Sequence, residues 1–389
     1  MRKLQQKDLE AGMVLARDIV TKHGQVIAEK GVTLTDQLIA RISFYRAENI
    51  LVEGDDPEPE AAEPPTPEPP APEPPAPEPV EPPKEPEIVK PTVNETISYT
   101  EKLRSKPEFQ DFQLIYSRNI ARLKEAFSYI LAGDYASFSP SMLLDEAEDI
   151  FRQRTVLDLL DLLHTNRALD DSVYVHSLNV AIIAHGIGKW LKMPKQDMDV
   201  LTLAGLLHDI GKMQIPEEIL NKTGQLTDEE FNLIRQHPQM GNKILKKVPG
   251  LDARIIYATL QHHERFDGSG YPRNLDGDEI DDTAAIIAIA DVYDAMTAAR
   301  SYRAAKCAFQ VIEAFEDDGL QKYNPKFILT FLDRIASSYQ NSRVLLSDGS
   351  RCRIIYINHN KLSRPMVQFD DGSVIDLTTR TDLHITSIL

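Results

Sequence analysis

The sequence predicts a mainly α protein: a helical bundle, a small α+β module before it, and a short antiparallel β segment after it. Three observations carry this. From about residue 98 to 340 apolar residues recur at three- and four-residue steps, as in "PEFQDFQLIYSRNIARLKEAFSYIL". Residues 57–91 form a Pro/Glu tract that cannot build a core. Beyond 341, "RVLLSDGSRCRIIYI" and "MVQFDDGSVIDL" each place an Asp-Gly turn between β-rich runs.

Taken in order, residues 1–54 read as a small α+β module. "GMVLARDIV", a turn at His23-Gly24 and "QVIAEKG" give short strands, Thr35 caps a helix running to about Arg46, and "NILVE" returns as a strand. It holds no cluster of chemically competent side chains, so it is read as a regulatory or docking module for a protein partner. Residues 55–97 are the linker, extended and polyproline-like, and 98–145 a helical connector. Residues 146–340 form the main helical domain, and 341–389 the β-rich C-terminal subdomain. Within the helical region Ser139-Pro140 opens a helix as N-cap and N1 with acids in its first turn. Further helices are expected near 172–191, 197–212, 227–237, 239–248, 252–263, 283–299, 306–317 and 325–338. Thr227 and Glu230 make a capping box.

The chain of 389 residues has a net charge of −17, but residues 55–90 alone carry eleven acids against Lys84 and Lys90. The overall balance argues against a general nucleic-acid or anionic-membrane surface, which would select basic patches, but with the linker set aside the charge says little about the active part. Cys307 and Cys352 are the only cysteines, and neither has a CxxC partner, which suits a reducing compartment. The N-terminus lacks the apolar core of a signal peptide, and no apolar run approaches the ~20 residues of a membrane span. The expectation is a cytoplasmic protein. The sequence leaves a homodimer open.

Chemistry concentrates in the helical region. His176 sits in "YVHSLNVA", His208-Asp209 in "LLHDIGK", His237 in "LIRQHP", His262-His263 in "LQHHE" and Asp291 in "AIADVYDA". A lone histidine on an apolar helix is commonly a satisfied core residue. Adjacent His-His and His-Asp pairs are harder to place in that way, because two neighbouring polar residues rarely both face a core. Five imidazoles and two carboxylates supply enough nitrogen and oxygen ligands for two divalent transition metals. The loop 264–281, "ERFDGSGYPRNLDGDEID", is long for a compact helical domain, and such loops are usually functional.

These motifs resemble the HD-GYP family, a branch of the HD phosphohydrolases. The likeness runs through "HSLNVA", "LLHDIGKMQIPEEILNKTGQLTDEEF", "HPQMG", "HHERFDGSGYP" and "ADVYDAMTAARSYR", over about 150–340. It implies an HD-type helical bundle and metal-dependent hydrolysis of cyclic di-GMP to linear pGpG, with GMP as a possible further product, by a hydroxide bridging two ions, with Fe or Mn suited to the mixed ligands. His176, His208, Asp209 and Asp291 would serve one ion, and His237, His262 and His263 the other, with Asp209 shared. Lys212 would face the scissile phosphate. Arg300 and Arg303 in "RSYR" would contact phosphate oxygens, although Ser301 stands where the family usually has proline. Gly270, Tyr271 and Pro272 would form a lip over the metals, with Tyr271 either stacking on guanine or packing the loop. Some members add a glutamate four residues before the first ligand histidine for a third ion. Here that residue is Ser172, so two ions are expected. The alternatives are hydrolysis of another cyclic dinucleotide such as cyclic GMP-AMP, or a receptor that binds cyclic di-GMP without cleaving it.

Overall fold

The computed structural model describes residues 2–4, 9, 12–20, 26–28, 30–34, 42, 50–52, 104–152, 154–166, 172–222, 224–298 and 306–389. The Pro/Glu linker, the His23-Gly24 turn, nearly all of the Thr35–Arg46 helix, and Arg300 and Arg303 lie outside these residues.

In the N-terminal module β1 (Arg2–Leu4) pairs antiparallel with β4 (Ile50–Val52), and β2 (Ile19–Val20) with β3 (Val26–Ala28). Leu15, Ile19, Leu34, Ile42, Ile50 and Val52 are buried in a core of their own. The strand at 2–4 was absent from the sequence reading: three residues beside the chain start carry no measurable period.

The helical domain runs through α1 (Pro107–Ala132), α2 (Pro140–Phe151), α3 (Val156–Asn166), α4 (Val173–Trp190), α5 (Lys195–Leu207) and a 3-10 turn at Ile210–Gln214. It continues with α6 (Glu217–Leu220), α7 (Asp228–Ile234), α8 (His237–Leu245), α9 (Ala253–Gln261), α10 (Asp282–Thr297), α11 (Ala308–Asp318) and α12 (Pro325–Ser338). The capping box of Thr227 and Glu230 forms, each side chain bonding the other's backbone N–H. Ser139 differs from expectation. Its hydroxyl bonds that of Ser141 and caps nothing, and the helix's four acids, Asp145, Glu146, Glu148 and Asp149, all lie beyond its first turn. Helix α3 has an amphipathic pattern, with Asp158, Asp161 and His164 on one side and Leu159, Leu160, Leu162 and Leu163 buried on the other, yet it is absent from the helices expected from the sequence.

Helix α4 is the centre of the bundle, with eleven of its eighteen residues buried, packed on α5 and α10. A Cβ on Gly205 of α5 would lie 2.5 Å from the Ala181 backbone, so glycine is what lets these two helices approach. The C-terminal sheet is antiparallel in the order β8-β7-β6-β5-β9, from β5 (Arg343–Leu346), β6 (Arg351–Tyr356), β7 (Met366–Phe369), β8 (Val374–Asp376) and β9 (Ile385–Ile388). Both Asp-Gly turns fall where expected, while β9 was not foreseen. Val344, Ile354, Val367 and Ile385 share one buried cluster with the helices. No helix among the described residues is long and apolar enough to cross a membrane.

Candidate metal centre

The seven histidines and aspartates singled out from the sequence arrive from five places in the bundle. His176 is on the first turn of α4, and Asp291 on α10 beside it. His208 ends α5 and Asp209 follows it, His237 opens α8, and His262 and His263 follow α9. The expected continuous helix 197–212 stops at Leu207 and tightens into a 3-10 turn. The cause is packing. A Cβ on Gly211 would come within 2.0 Å of the His237 carbonyl, so this turn and α8 touch backbone to backbone, which sets His237 against Asp209.

The ligating atoms fall into groups whose members lie within 4.8 Å of one another: His237, His262 and His263; His176, His208 and Asp291; and His208, Asp209 and His262. Asp209, 1% exposed, sits between them. Its Oδ1 is 3.2 Å from His237 Nε2 and 3.8 Å from His262 Nε2. Its Oδ2 is 3.3 Å from His208 Nε2 and 3.6 Å from His176 Nε2. His176 Nε2 is also 3.0 Å from Asp291 Oδ1.

The imidazoles are held in one tautomer. His208 Nδ1 donates to the Gly205 carbonyl, His237 Nδ1 to that of Ile234 and His262 Nδ1 to that of Thr259, at 2.8, 2.7 and 3.0 Å. A carbonyl only accepts, so each Nδ1 carries the proton and each neutral ring presents a bare Nε2. Those bare nitrogens face one another, His237 Nε2 and His262 Nε2 at 3.2 Å, and face the Asp209 carboxylate. Acceptor opposes acceptor. Accordingly His208 Nε2 and Asp209 Oδ1, both buried, have no hydrogen-bonding partner. Lys212 meets Oδ2, but a buried carboxylate oxygen left without a donor is costly, and a cation shared by these atoms is what would remove the cost. The donor set therefore fits a divalent metal, with two groups of ligands on the two oxygens of one carboxylate.

Electrostatics agree. Burial pushes the Asp209 carboxyl up, but His208 and Lys212 hold it well below the usual range. Burial likewise opposes ionisation of Asp291, and His176 overcomes it. Burial and neighbouring imidazoles keep His262 well below its usual value, while burial keeps His263 there. His176 is the exception. Burial lowers it, but Asp291 and Asp294 raise it to about 10. The position attracts positive charge, which a proton supplies when no other cation does.

Lys212 Nζ lies 2.6 Å from Asp209 Oδ2, beside the cluster and partly exposed. Gly270, Tyr271 and Pro272 stand at its edge. Tyr271 stacks on His263 with ring centroids 4.7 Å apart, and its N–H donates to the His263 carbonyl. A Cβ at Gly270 would lie 2.4 Å from Glu264 Cα, and the Tyr271–Pro272 bond is cis. Ser172 caps α4 by accepting from the Val175 N–H.

Three residues escaped the sequence reading. Asp294 is 3% exposed, and its Oδ2 sits 2.8 Å from His176 Nδ1, orienting that ring as ligand-supporting carboxylates do. Its signal was available, because Asp291 and Asp294 are one turn apart on an apolar helix. Glu264, 2% exposed, accepts the N–H groups of Arg273 and Leu275 and pins the Gly270–Pro272 loop. Arg235 lies with its guanidinium carbon 4.4 Å from the Tyr271 ring centroid.

Residues 149–327 match the HD domain family model. The chain is 35% identical over 223 residues to a cyclic di-GMP phosphodiesterase of Pseudomonas aeruginosa, covering 57% of this chain and 52% of that one. It is 36% identical over 181 residues to a cyclic di-GMP phosphodiesterase of Thermotoga maritima, covering 46% and 48%. It is 45% identical over 130 residues to a 3'3'-cGAMP-specific phosphodiesterase of Vibrio cholerae, covering 33% and 30%. The matched segment thus spans about half or less of each of these relatives. The histidine-aspartate cluster lies inside residues 149–327, so the segment similar to the HD domain family is the one that holds the candidate metal centre.

Proposed function

We propose that this chain is a metal-dependent phosphodiesterase that opens cyclic di-GMP to linear pGpG. The observation that carries the reading is the opposition of acceptors at Asp209, where bare imidazole nitrogens meet both carboxylate oxygens. His176, His208, Asp209 and Asp291 would hold one divalent ion, and Asp209, His237, His262 and His263 a second. Fe or Mn suits these nitrogen-rich sets, whereas Mg would want more oxygen. Bound there, such ions supply Lewis acidity and an acidified water for in-line attack on phosphorus.

The chain's own residues do the rest. Asp294 fixes the His176 ring, and carbonyls fix those of His208, His237 and His262, so the ligands are set before substrate arrives. Lys212, flexible and partly exposed beside Asp209, offers charge to a phosphate oxygen or a proton to the leaving 3'-oxygen. Arg300 and Arg303 are assigned to phosphate contact from the sequence motif alone. The Gly270–Pro272 loop covers the His263 side and limits water. The N-terminal module is assigned to a protein partner.

A second reading, hydrolysis of 3'3'-cGAMP, has specific support in the 45% identical relative named for that activity. Both substrates offer the same phosphodiester, so the metal ligands do not separate them. The test is turnover of cyclic di-GMP, 3'3'-cGAMP and cyclic di-AMP by metal-loaded protein, with products resolved and metal counted per chain. Opening of cyclic di-GMP first, with two ions per chain, is expected. Preferred cleavage of 3'3'-cGAMP would select the second reading. Binding without cleavage would make the chain a receptor, and three ions would overturn the two-metal assignment.

A further inference from the structure

Arg235 closes α7, two residues before His237. Its guanidinium carbon lies 4.4 Å from the centroid of Tyr271 and 5.9 Å from that of Phe231. Since Tyr271 stacks on His263, the series Phe231, Arg235, Tyr271, His263 leads from an aromatic ring 52% exposed to the second histidine group. Contact with ring faces holds the guanidinium yet uses none of its five N–H donors. Among the described residues the Arg235 side chain makes no hydrogen bond or ion pair. The contrast with other partly buried arginines is sharp. Arg154 meets Asp111 at 2.7 Å, Arg254 meets Asp197 at 2.6 Å, and Arg364 meets Glu313.

A guanidinium beside a group that binds divalent cations is repelled by them unless an anion comes between. Phosphate is the anion whose geometry its fork matches. Cyclic dinucleotides carry two phosphodiesters, of which only one is cleaved at a time. We propose that Arg235 binds the second, uncleaved phosphodiester while the first lies at Asp209 and Lys212. This rests on the phosphodiesterase reading above. It makes Arg235 a determinant of selectivity for two-phosphate rings, without regard to base.

The experiment compares full-length wild type, Arg235→Ala and Arg235→Lys, all metal-loaded. The substrates are cyclic di-GMP, 3'3'-cGAMP and bis(p-nitrophenyl) phosphate, which has a single phosphodiester. Arg235→Ala is expected to raise KM for both cyclic dinucleotides by a similar factor, roughly 10- to 100-fold, with kcat changed far less. The loss on the single phosphodiester should be at least about tenfold smaller, metal content should hold, and lysine should restore part of the affinity. Equal loss on the single phosphodiester, or loss of metal, would show that Arg235 only props Tyr271 and His263, and would overturn the proposal. So would a loss that depends on the base, or no loss. Binding of a phosphorothioate analogue of cyclic di-GMP reads the same contact without turnover. A wild type that binds it and cleaves nothing would sink the phosphodiesterase reading, while weaker binding by Arg235→Ala would keep the Arg235 contact.

Discussion

Asp209 and Glu316 are both withdrawn from solvent, 1% and 6% exposed, on helical segments of the same bundle. Their surroundings are opposite. Glu316, on α11, accepts the Leu362 N–H and the Ser363 hydroxyl, and Lys361 lies 3.4 Å away. Donors meet its acceptors, and this ties the approach to β7 onto the helices. Asp209 faces imidazole nitrogens whose protons are committed elsewhere, and its Oδ1 has no hydrogen-bonding partner. A burial value does not distinguish the two acids; an account of who donates to whom does. Satisfied burial marks a structural joint. Convergent acceptors mark a site whose chemistry suits a cation.

The largest expected effect breaks the unsatisfied member. Asp209→Asn keeps the shape but removes the charge shared by both ligand groups. Turnover should fall about a thousandfold or more, and metal content should drop with it. Because the asparagine NH2 can donate to the bare imidazole nitrogens facing this side chain, and only a partly exposed lysine loses its ion pair, the metal-free variant should be at least as stable as metal-free wild type. Calorimetry with and without added Mn should show stabilisation by metal in wild type and little in the variant. Retained metal with full turnover would refute the role given to Asp209.

Glu316→Leu should give the reverse pattern. Leaving the Leu362 N–H and Ser363 hydroxyl without their acceptor should cost about 2–4 kcal/mol in urea unfolding. Turnover per folded molecule and metal content should stay at wild-type values. If activity fell more than the folded fraction, the C-terminal sheet would be coupled to the metal centre.

The same distinction explains what could be read from the sequence. His208-Asp209 and His262-His263 were legible because adjacent polar residues at the ends of apolar helices have no ordinary place to go. Thr227 with Glu230 was legible because a capping box is local. Glu264 and Arg235 were not, because each acts on residues packed across the loop, and for Asp294 the one-turn spacing from Asp291 was legible while its partner was not. Asp294 finds its partner 118 residues away. The break after Leu207 was hidden for the same reason: the need for a tight turn comes from the His237 carbonyl against Gly211, and helical periodicity through "AGLLHDIGK" contains no trace of it. Strand β9 was invisible because "ITSI" becomes a strand only by pairing with β5.

His185 tests whether burial alone, without ligand chemistry, has a titratable signature. It stacks on Phe151 at 3.5 Å and bonds the Thr202 hydroxyl. Burial, then Lys189 and Lys195, push its pKa down to about 3. The unfolded chain therefore takes up this proton first as pH falls. The stability from His185 is complete above about pH 6.5 and is lost as pH drops from there towards 3. His185→Phe keeps the stack and cannot protonate, and Thr202 still donates to the Met198 carbonyl. Between pH 7 and 5 the variant should lose about 2 kcal/mol less than wild type, measured by urea unfolding at each pH. Parallel pH profiles would mean that His185 reaches solvent and titrates normally.

The smallest expected effect lies in α7, which has no buried residue although it ends in the arginine beside the metal centre. Its support is local: the Thr227–Glu230 capping box, Lys222 on Glu230, and the contact of Arg235 with Tyr271. Thr227→Ala should cost this helix about 1 kcal/mol. Because little of the core depends on it, that loss should appear as local opening rather than as a global shift. Amide exchange across 228–234 should quicken about fivefold, the global melting temperature should scarcely move, and KM for a cyclic dinucleotide should rise by no more than a similar factor. A fall in global stability of the full amount would instead place α7 within the cooperative core, and the separation between a rigid ligand cluster and a weakly anchored rim would not hold.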